Sequence, residues 1–289
     1  MKKIYIAGCG GMLGDAMYNV FGNEYILRCT DKLAFDDWVE FLDFRDRQVY
    51  YEDVAEFKPD YLFHIGAITS MEKCESNPDL AYLTNTLSVE NAVSIANRLN
   101  IPLLYVSTST VFDGQKSSYD DWDIPNPVTV YGRSKYMGEV YVSNHANRYL
   151  ICRAGWMFGG KDKDIKIIGK LNHFIQNGDK ELYAVYDKTG SPTYTYDFAN
   201  TVKLLLENEL WGTYNVVNRG SATRLDIVKE YVKILNLDVK VIETTSQYFQ
   251  NVYTAARPSS EVLLTKKLEL RGITTMRYWK EALKEYLTK

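Results

Sequence analysis

Cysteine is scarce in this chain and shows no local pattern: Cys9, Cys29, Cys74 and Cys152 are the only four, and no two make a CxxC spacing. A disulfide framework and a cysteine zinc site are therefore not expected, and the thiols should be reduced. Histidine is scarcer still, with three residues at 64, 145 and 173 that form no ligand set, so no metal is expected. A basic excess is missing too: 34 Lys and Arg stand against 37 Asp and Glu, a formal charge of −3. Binding of nucleic acid, which needs a basic face, is not expected. No apolar run is long enough to span a membrane, and Met1-Lys2-Lys3 leads into a strand-like segment rather than a signal-peptide core. These absences predict a cytoplasmic protein that acts on a small molecule, with no membrane partner.

What is present can build a full core. The chain has 289 residues, 46% of them hydrophobic, which suits one large domain carrying a smaller lobe. Short apolar runs at 3–7, 25–30, 60–66, 102–107 and 149–153 alternate with helical patterns near 13–21, 47–57, 79–99 and 129–146. Such alternation predicts an α/β fold of Rossmann type, a doubly wound parallel sheet. Residues 1–154 are read as the dinucleotide-binding domain. Beyond them the pattern loosens, with helices near 195–209, 224–236 and 277–287, and residues 155–289 are read mainly as a smaller α/β substrate-binding lobe. Because Gly212-Thr213-Tyr214-Asn215-Val216-Val217 reads as another strand, a segment at about 195–217 is expected to return to the main domain.

The first strand runs into Gly8-Cys9-Gly10-Gly11-Met12-Leu13-Gly14, and a helical pattern follows. Glycines at 8, 11 and 14 allow a tight turn, close approach of backbone amides to a pyrophosphate, and close packing of helix on strand. The helix start, at Met12 and Leu13, then turns its positive dipole end toward the phosphates. Asp31 ends the second strand, where a dinucleotide fold places an acid to hold ribose hydroxyls. A solvated turn aspartate is the alternative, and Arg28 and Lys32 nearby would suit a 2′-phosphate, so NAD(H) and NADP(H) both stay open. Asp43-Phe44 either faces the adenine or is a helix-capping acid beside a buried ring.

Tyr131 and Lys135 stand four residues apart on an expected helix, sharing one face. An ammonium beside a phenol favours the phenolate, which would let a tyrosine, ordinarily of pKa about 10, exchange protons near neutrality. The spacing alone also describes a solvated pair. The preceding strand gives it context: Leu103-Leu104-Tyr105-Val106 ends in Ser107-Thr108-Ser109-Thr110, hydroxyls at the carboxyl edge of the sheet, where open α/β sheets bind ligands. Thr108 or Ser107 can donate to a substrate carbonyl there, or simply cap the strand end.

These motifs together resemble the extended short-chain dehydrogenase/reductase family. Ser107-Thr108-Ser109-Thr110-Val111-Phe112-Asp113-Gly114 is similar to the STDYVFDG segment of its dTDP-4-dehydrorhamnose reductase branch, and Arg153-Ala154-Gly155-Trp156-Met157-Phe158-Gly159 to that branch's RTxWVFG. Asp187-Lys188-Thr189-Gly190-Ser191-Pro192-Thr193 resembles DQxGxPT, and Arg257-Pro258 opens a piece like RPxNSxL, so the likeness runs nearly end to end. It implies reduction of the 4-keto group of a nucleoside diphosphate 4-keto-6-deoxy sugar by NAD(P)H. It implies Thr108, Tyr131 and Lys135 as the catalytic set, with Lys135 and Ser107 also at the cofactor. Gly66 and Ala67, in the segment after the third core strand, would lie at the cofactor, and Thr69, Trp156 and Arg257 near the substrate. Related proteins often pair, so a homodimer is an expectation of the same kind.

The chain departs from that pattern where Asp-Tyr becomes Ser109-Thr110 and Asn-Ser becomes Ser260-Glu261. Glu261 brings a negative charge to a region where a diphosphate is expected. Two other readings stand beside the reductase: a sugar-nucleotide epimerase or dehydratase, and a non-catalytic, NADP-binding regulatory subunit. Dehydratases usually carry an acid just after the catalytic threonine, and Ser109 has no carboxylate.

Overall fold

The computed structural model describes residues 1–289 and is organised by seven parallel strands. Six come from residues 1–154: β1 (Lys3–Ala7), β2 (Ile26–Asp31), β3 (Glu40–Phe41), β4 (Tyr61–His64), β5 (Leu103–Thr108) and β6 (Tyr149–Ala154). The lobe then contributes β7 (Trp156–Phe158), β8 (Glu181–Val185), β9 (Thr189–Gly190) and β10 (Pro192–Tyr194) before β11 (Gly212–Asn215) returns to pair with β6. The sheet order is β11-β6-β5-β4-β1-β2-β3. Three further strands, β12 (Ala222–Thr223), β13 (Lys240–Thr244) and β14 (Ser260–Glu261), pair only with lobe strands.

Alternation along the buried strands sends residues to two faces, and each face has its own helices. Ile4, Ile6, Phe63, Leu104, Val106 and Leu150 pack against α1 (Met12–Phe21) and, from the lobe half, α8 (Thr195–Glu207). On the other face Tyr5, Leu62, Leu103, Tyr105 and Ile151 meet α2 (Arg47–Phe57) and α5 (Ser88–Leu99). A side chain such as Phe63, fully excluded from water, contributes about 1.5–3 kcal/mol relative to exposure. A third cluster, with Phe158, Leu171, Leu182, Tyr194, Leu225 and Tyr231 among its members, is the lobe's own core around α7 (Ile167–Gln176) and α9 (Arg224–Ile234). No helix is long and apolar enough to cross a membrane.

Local chemistry sets the helix ends. The Asp46 carboxylate accepts from the amides of Gln48 and Val49 to start α2, and Lys58, in the left-handed region at φ 52°, stops it before Pro59. Thr129 accepts from the Gly132 amide at 2.9 Å and starts α6 (Val130–His145), the helix that carries Tyr131 and Lys135.

The helix expected over 79–99 forms, as α4 (Pro78–Tyr82), a wide π turn over Leu83–Leu87 and α5 without interruption, and a short helix α3 (Met71–Ser76) precedes it. Asn85 explains the π turn. Its Oδ1 accepts from the Ile68 amide at 2.8 Å, while its Nδ2 donates to the Ile68 carbonyl and to Ser134 Oγ, both at 3.1 Å. The wide turn thus aims one amide sideways and ties the loop after β4 to α6, a common use of such turns.

Candidate active site

At the end of β1 the backbone of Gly8 turns with φ +96°, and a Cβ there would stand 2.1 Å from Cα of Gly66. Gly14 presses α1 onto the turn, its Cβ position lying 2.0 Å from the Cys9 carbonyl oxygen. Gly11 differs: nothing lies within 4 Å of a Cβ built on it, and it precedes α1 with no side chain capping the helix. Open space before bare helical amides, those of Met12 and Leu13 among them, fits a pyrophosphate. Below it Phe44 Cε1 lies 2.4 Å from the Cβ position of Gly66, and Phe44 meets His64 edge-on at 4.9 Å. Gly8, Gly66 and Phe44 therefore form one continuous contact, with half-buried Ala67 just beyond. Asp43 is forked by Arg45, whose Nε lies 2.8 Å from Oδ1.

Asp31 is tied to the turn itself. Its Oδ2 accepts from the Gly10 amide at 3.0 Å and its Oδ1 from the Leu33 amide at 2.9 Å. Gly10 was not singled out by the motif, yet a Cβ there would approach the Leu33 carbonyl to 2.6 Å. Arg28 is held away by Asp53 and by Glu40 at 3.0 Å, so it is not free for a 2′-phosphate.

Tyr131 and Lys135 lie a turn apart on α6, both buried. Burial lowers Lys135 to a pKa of about 7, against the pull of Glu139, whose own carboxylate is clamped by Arg153 at 2.8 Å. No carboxylate lies within ion-pair distance of the lysine, and its Nζ sits 4.2 Å from the centroid of Tyr105. Burial pushes the Tyr131 phenol up; the Thr108 side chain pulls it down, and the charges of Cys74 and Glu261 push it further up. The sequence argument expected Lys135 to favour the phenolate. Burial instead raises the phenol, with no opposing pull from Lys135, and the phenol rests in its acid form. Thr108 closes β5 with its Oγ1 3.2 Å from the Thr110 amide and 3.1 Å from Thr110 Oγ1. Ser107 Oγ is buried without a partner, leaving its proton available to a ligand.

The lobe faces this edge with cations. Lys166 Nζ donates to Thr69 Oγ1 at 3.0 Å and to the Thr69 carbonyl at 3.3 Å. Trp156 is held between Gly190, whose Cβ position is 2.3 Å from its ring, and the Arg224 guanidinium, 3.6 Å from its centroid. Arg257 pairs with Glu72 and lies 4.8 Å from the Tyr253 ring. Burial lowers Lys166, with Lys170 and Arg224 adding repulsion, and burial takes Arg224 to about 10, so Arg224 keeps its charge at neutral pH. Such a group suits a diphosphate. Lys166, Lys170 and Arg224 escaped the sequence reading because they sit in no motif and meet only through the lobe's packing. Glu261 does not project toward the cations unpaired: its Oε2 accepts from Ser109 Oγ at 3.0 Å and Thr110 Oγ1 at 3.1 Å. The carboxylate that the strand end lacks is supplied from β14.

Known proteins resemble this chain over nearly its whole length. A dTDP-4-dehydrorhamnose reductase from Aggregatibacter actinomycetemcomitans is 30% identical, with 98% of each chain covered. The spore coat polysaccharide biosynthesis protein SpsK of Bacillus subtilis is 29% identical over 99% of this chain and 97% of its own. The crystal structure of dTDP-4-dehydrorhamnose reductase from Bacillus anthracis in complex with NADP superposes with a TM-score of 0.92 at 29% identity, covering 100% of this chain and 99% of that one. The family model described as RmlD substrate binding domain matches residues 1–289. On that full-length match and on the reductase relatives, the chain belongs to the RmlD family of dTDP-4-dehydrorhamnose reductases, within the extended short-chain dehydrogenase/reductase fold.

Proposed function

We propose that the protein reduces the 4-keto group of a nucleoside diphosphate 4-keto-6-deoxy sugar, using NADH or NADPH. The observation that carries this reading is the buried Tyr131 phenol, with Lys135 a turn away and Thr108 beside it, facing the lobe cations Lys166, Arg224 and Arg257. Bound nicotinamide supplies the hydride to the keto carbon. Tyr131 gives its proton to the oxygen that gains charge, and a phenol held in its acid form is ready to do so. Lys135, cationic in part at pH 7, compensates the phenolate left behind. The lobe cations hold the diphosphate and so fix the sugar against the reacting groups.

Residues 1–154 with the returning strand serve as the cofactor half in this proposal, and most of residues 155–289 as the sugar-nucleotide half. The two amide bonds of Asp31 put a carboxylate at the end of β2, where it suits ribose hydroxyls better than a 2′-phosphate, and NADH is the favoured cofactor. Four buried, unpaired cysteines support a cytoplasmic setting.

A second reading draws on Glu261. A carboxylate beside the residues that follow Thr108 is what an epimerase or dehydratase arrangement would use. The test is cofactor oxidation, followed at the nicotinamide absorbance with dTDP-4-keto-6-deoxyglucose, alone and with a 3,5-epimerase. Stoichiometric oxidation supports the reductase, and the epimerase dependence identifies which ketone is reduced. Conversion of the sugar without net oxidation would establish the second reading instead.

A further inference from the structure

The helix α6 carries a third buried ionisable residue in line with Tyr131 and Lys135. Tyr131, Lys135 and Glu139 follow one another at intervals of four, so they lie on one face, and all three are shielded from water. Glu139 makes no ion pair with Lys135; its carboxylate is turned to Arg153 of β6. Arg153 Nε donates to both carboxylate oxygens, at 3.0 and 3.2 Å, and Nη2 donates to one of them at 2.8 Å. A fork of this kind fixes the carboxylate in place and offsets part of its charge.

The other titratable neighbours of the lysine are neutral near pH 7. Tyr105 of β5 presents its ring to Nζ with the centroid at 4.2 Å, and burial pushes its phenol far up. Burial takes His64 of β4 down to about 3, with Lys135 repelling its charged form. Cys74 of α3 is pushed up to about 11 by burial, and Tyr131 is likewise held as the phenol. No charge from α4, the π turn or α5 bears on the lysine. Glu139 is thus the anion that faces Lys135, and it opposes the burial that lowers the ammonium.

We infer that Glu139 and Arg153 are positioning residues for the proton on Lys135: the Glu139 carboxylate, one turn along α6, holds the ammonium charged, and the Arg153 fork sets how much of that attraction reaches it. The inference rests on the reductase reading above, in which a cationic Lys135 compensates the Tyr131 phenolate. A carboxylate free of Arg153 would pair with Lys135 directly and draw Nζ along α6, away from Tyr131. With no carboxylate there, burial would strip the lysine of its proton at working pH. The pair lies between these extremes, keeping the charge on Lys135 while leaving Nζ at the Tyr105 ring.

The competing role for the pair is to join α6 to β6 and nothing more, and two variants of the full chain separate the roles by where they move a pH profile. Glu139→Gln keeps a hydrogen bond to Arg153 but leaves that cation uncompensated. Glu139→Met combined with Arg153→Met replaces the pair by apolar side chains, a change that buried pairs often tolerate. In wild type, kcat should fall on the alkaline side as Lys135 loses its proton. Glu139→Gln is expected to move the midpoint of that fall downward by about one pH unit, and the double variant to move it downward by less, because the cation that Gln leaves behind is gone. The same displacement should appear without turnover, in melting temperature against pH. Stability rises with pH from the folded pKa of Lys135 toward its higher unfolded value, so in Glu139→Gln the rise should begin at lower pH.

Lowered melting temperatures with both profiles unmoved, or moved upward, would overturn the inference and leave the pair a structural one. Should Glu139→Gln not fold, the double variant decides alone: a midpoint displaced downward supports the inference, and an unmoved one overturns it. A wild type that oxidises neither cofactor with any ketone removes the reductase reading, and the melting profiles then still show whether the pair governs Lys135. A working wild type whose profiles are indifferent to both variants removes the inference alone.

Discussion

Gly8 and Gly66 stand back to back, the Cβ position of one 2.1 Å from Cα of the other, and this contact joins the end of β1 to the loop after β4. No side chain fits at Gly8 without moving backbone, and at Gly66 a Cβ would meet the Phe44 ring at 2.4 Å. Gly8 carries a second constraint, since its φ of +96° lies in the region that L side chains avoid.

Gly8→Ala should therefore destabilise the fold by about 3 kcal/mol or more, the sum of strain and overlap. Cofactor affinity should fall with it. Gly11→Ala, which meets open space, should lose little stability but weaken cofactor binding by crowding the approach to α1. Thermal unfolding and cofactor titration of the two variants check both statements.

Lys135 makes a prediction about stability that opposes its role. Its folded pKa of about 7 lies below the unfolded value of about 10.4, so the unfolded chain binds more protons between those pH values and stability gained from this group rises with pH across that window. Below about pH 7 the folded protein carries the full cost of a buried cation. Lys135→Met should raise the melting temperature by about 2–4 °C at pH 6, flatten this part of the pH dependence, and abolish turnover. A variant less stable than wild type at pH 6 would contradict the burial argument.

Asp31 is proposed to govern the choice of cofactor. Asp31→Ala removes the charge at the end of β2, and the ratio of kcat/KM for NADPH over NADH should increase about tenfold. Comparing the two cofactors in wild type and variant is enough, and an unchanged ratio would show that Asp31 serves the turn alone.

Arg224, stacked on Trp156 at 3.6 Å, is proposed to meet the diphosphate. Arg224→Met keeps much of the stacking volume and loses the charge. KM for the sugar nucleotide should rise about tenfold to a hundredfold with kcat little changed, as expected for uniform binding.

Much of the cofactor half can be read in the sequence because it is local: a glycine turn between strand and helix, and Tyr131 and Lys135 on one helical face. Even there, Gly10 is invisible until Asp31 and Leu33 close around it. Helical periodicity over 79–99 does not disclose the π turn, because the cause is Asn85 bonding to Ile68 and Ser134 from elsewhere in the chain. The substrate half is less legible for the same reason. Glu261 bonds to a serine 152 residues away, and Lys166 to a threonine 97 residues away, distances over which no motif carries a signal. The state of Tyr131 is a similar case, since spacing reveals the neighbouring lysine but not the desolvation that raises the phenol.

The most direct test compares Tyr131→Phe with wild type in cofactor oxidation driven by the 4-keto sugar nucleotide. The variant keeps the ring, the helix and the packing and loses only the proton donor. A fall in kcat of about a hundredfold or more, with cofactor binding intact, is the predicted result; turnover preserved within a few-fold would contradict the assignment of Tyr131 as the acid and the account built on it.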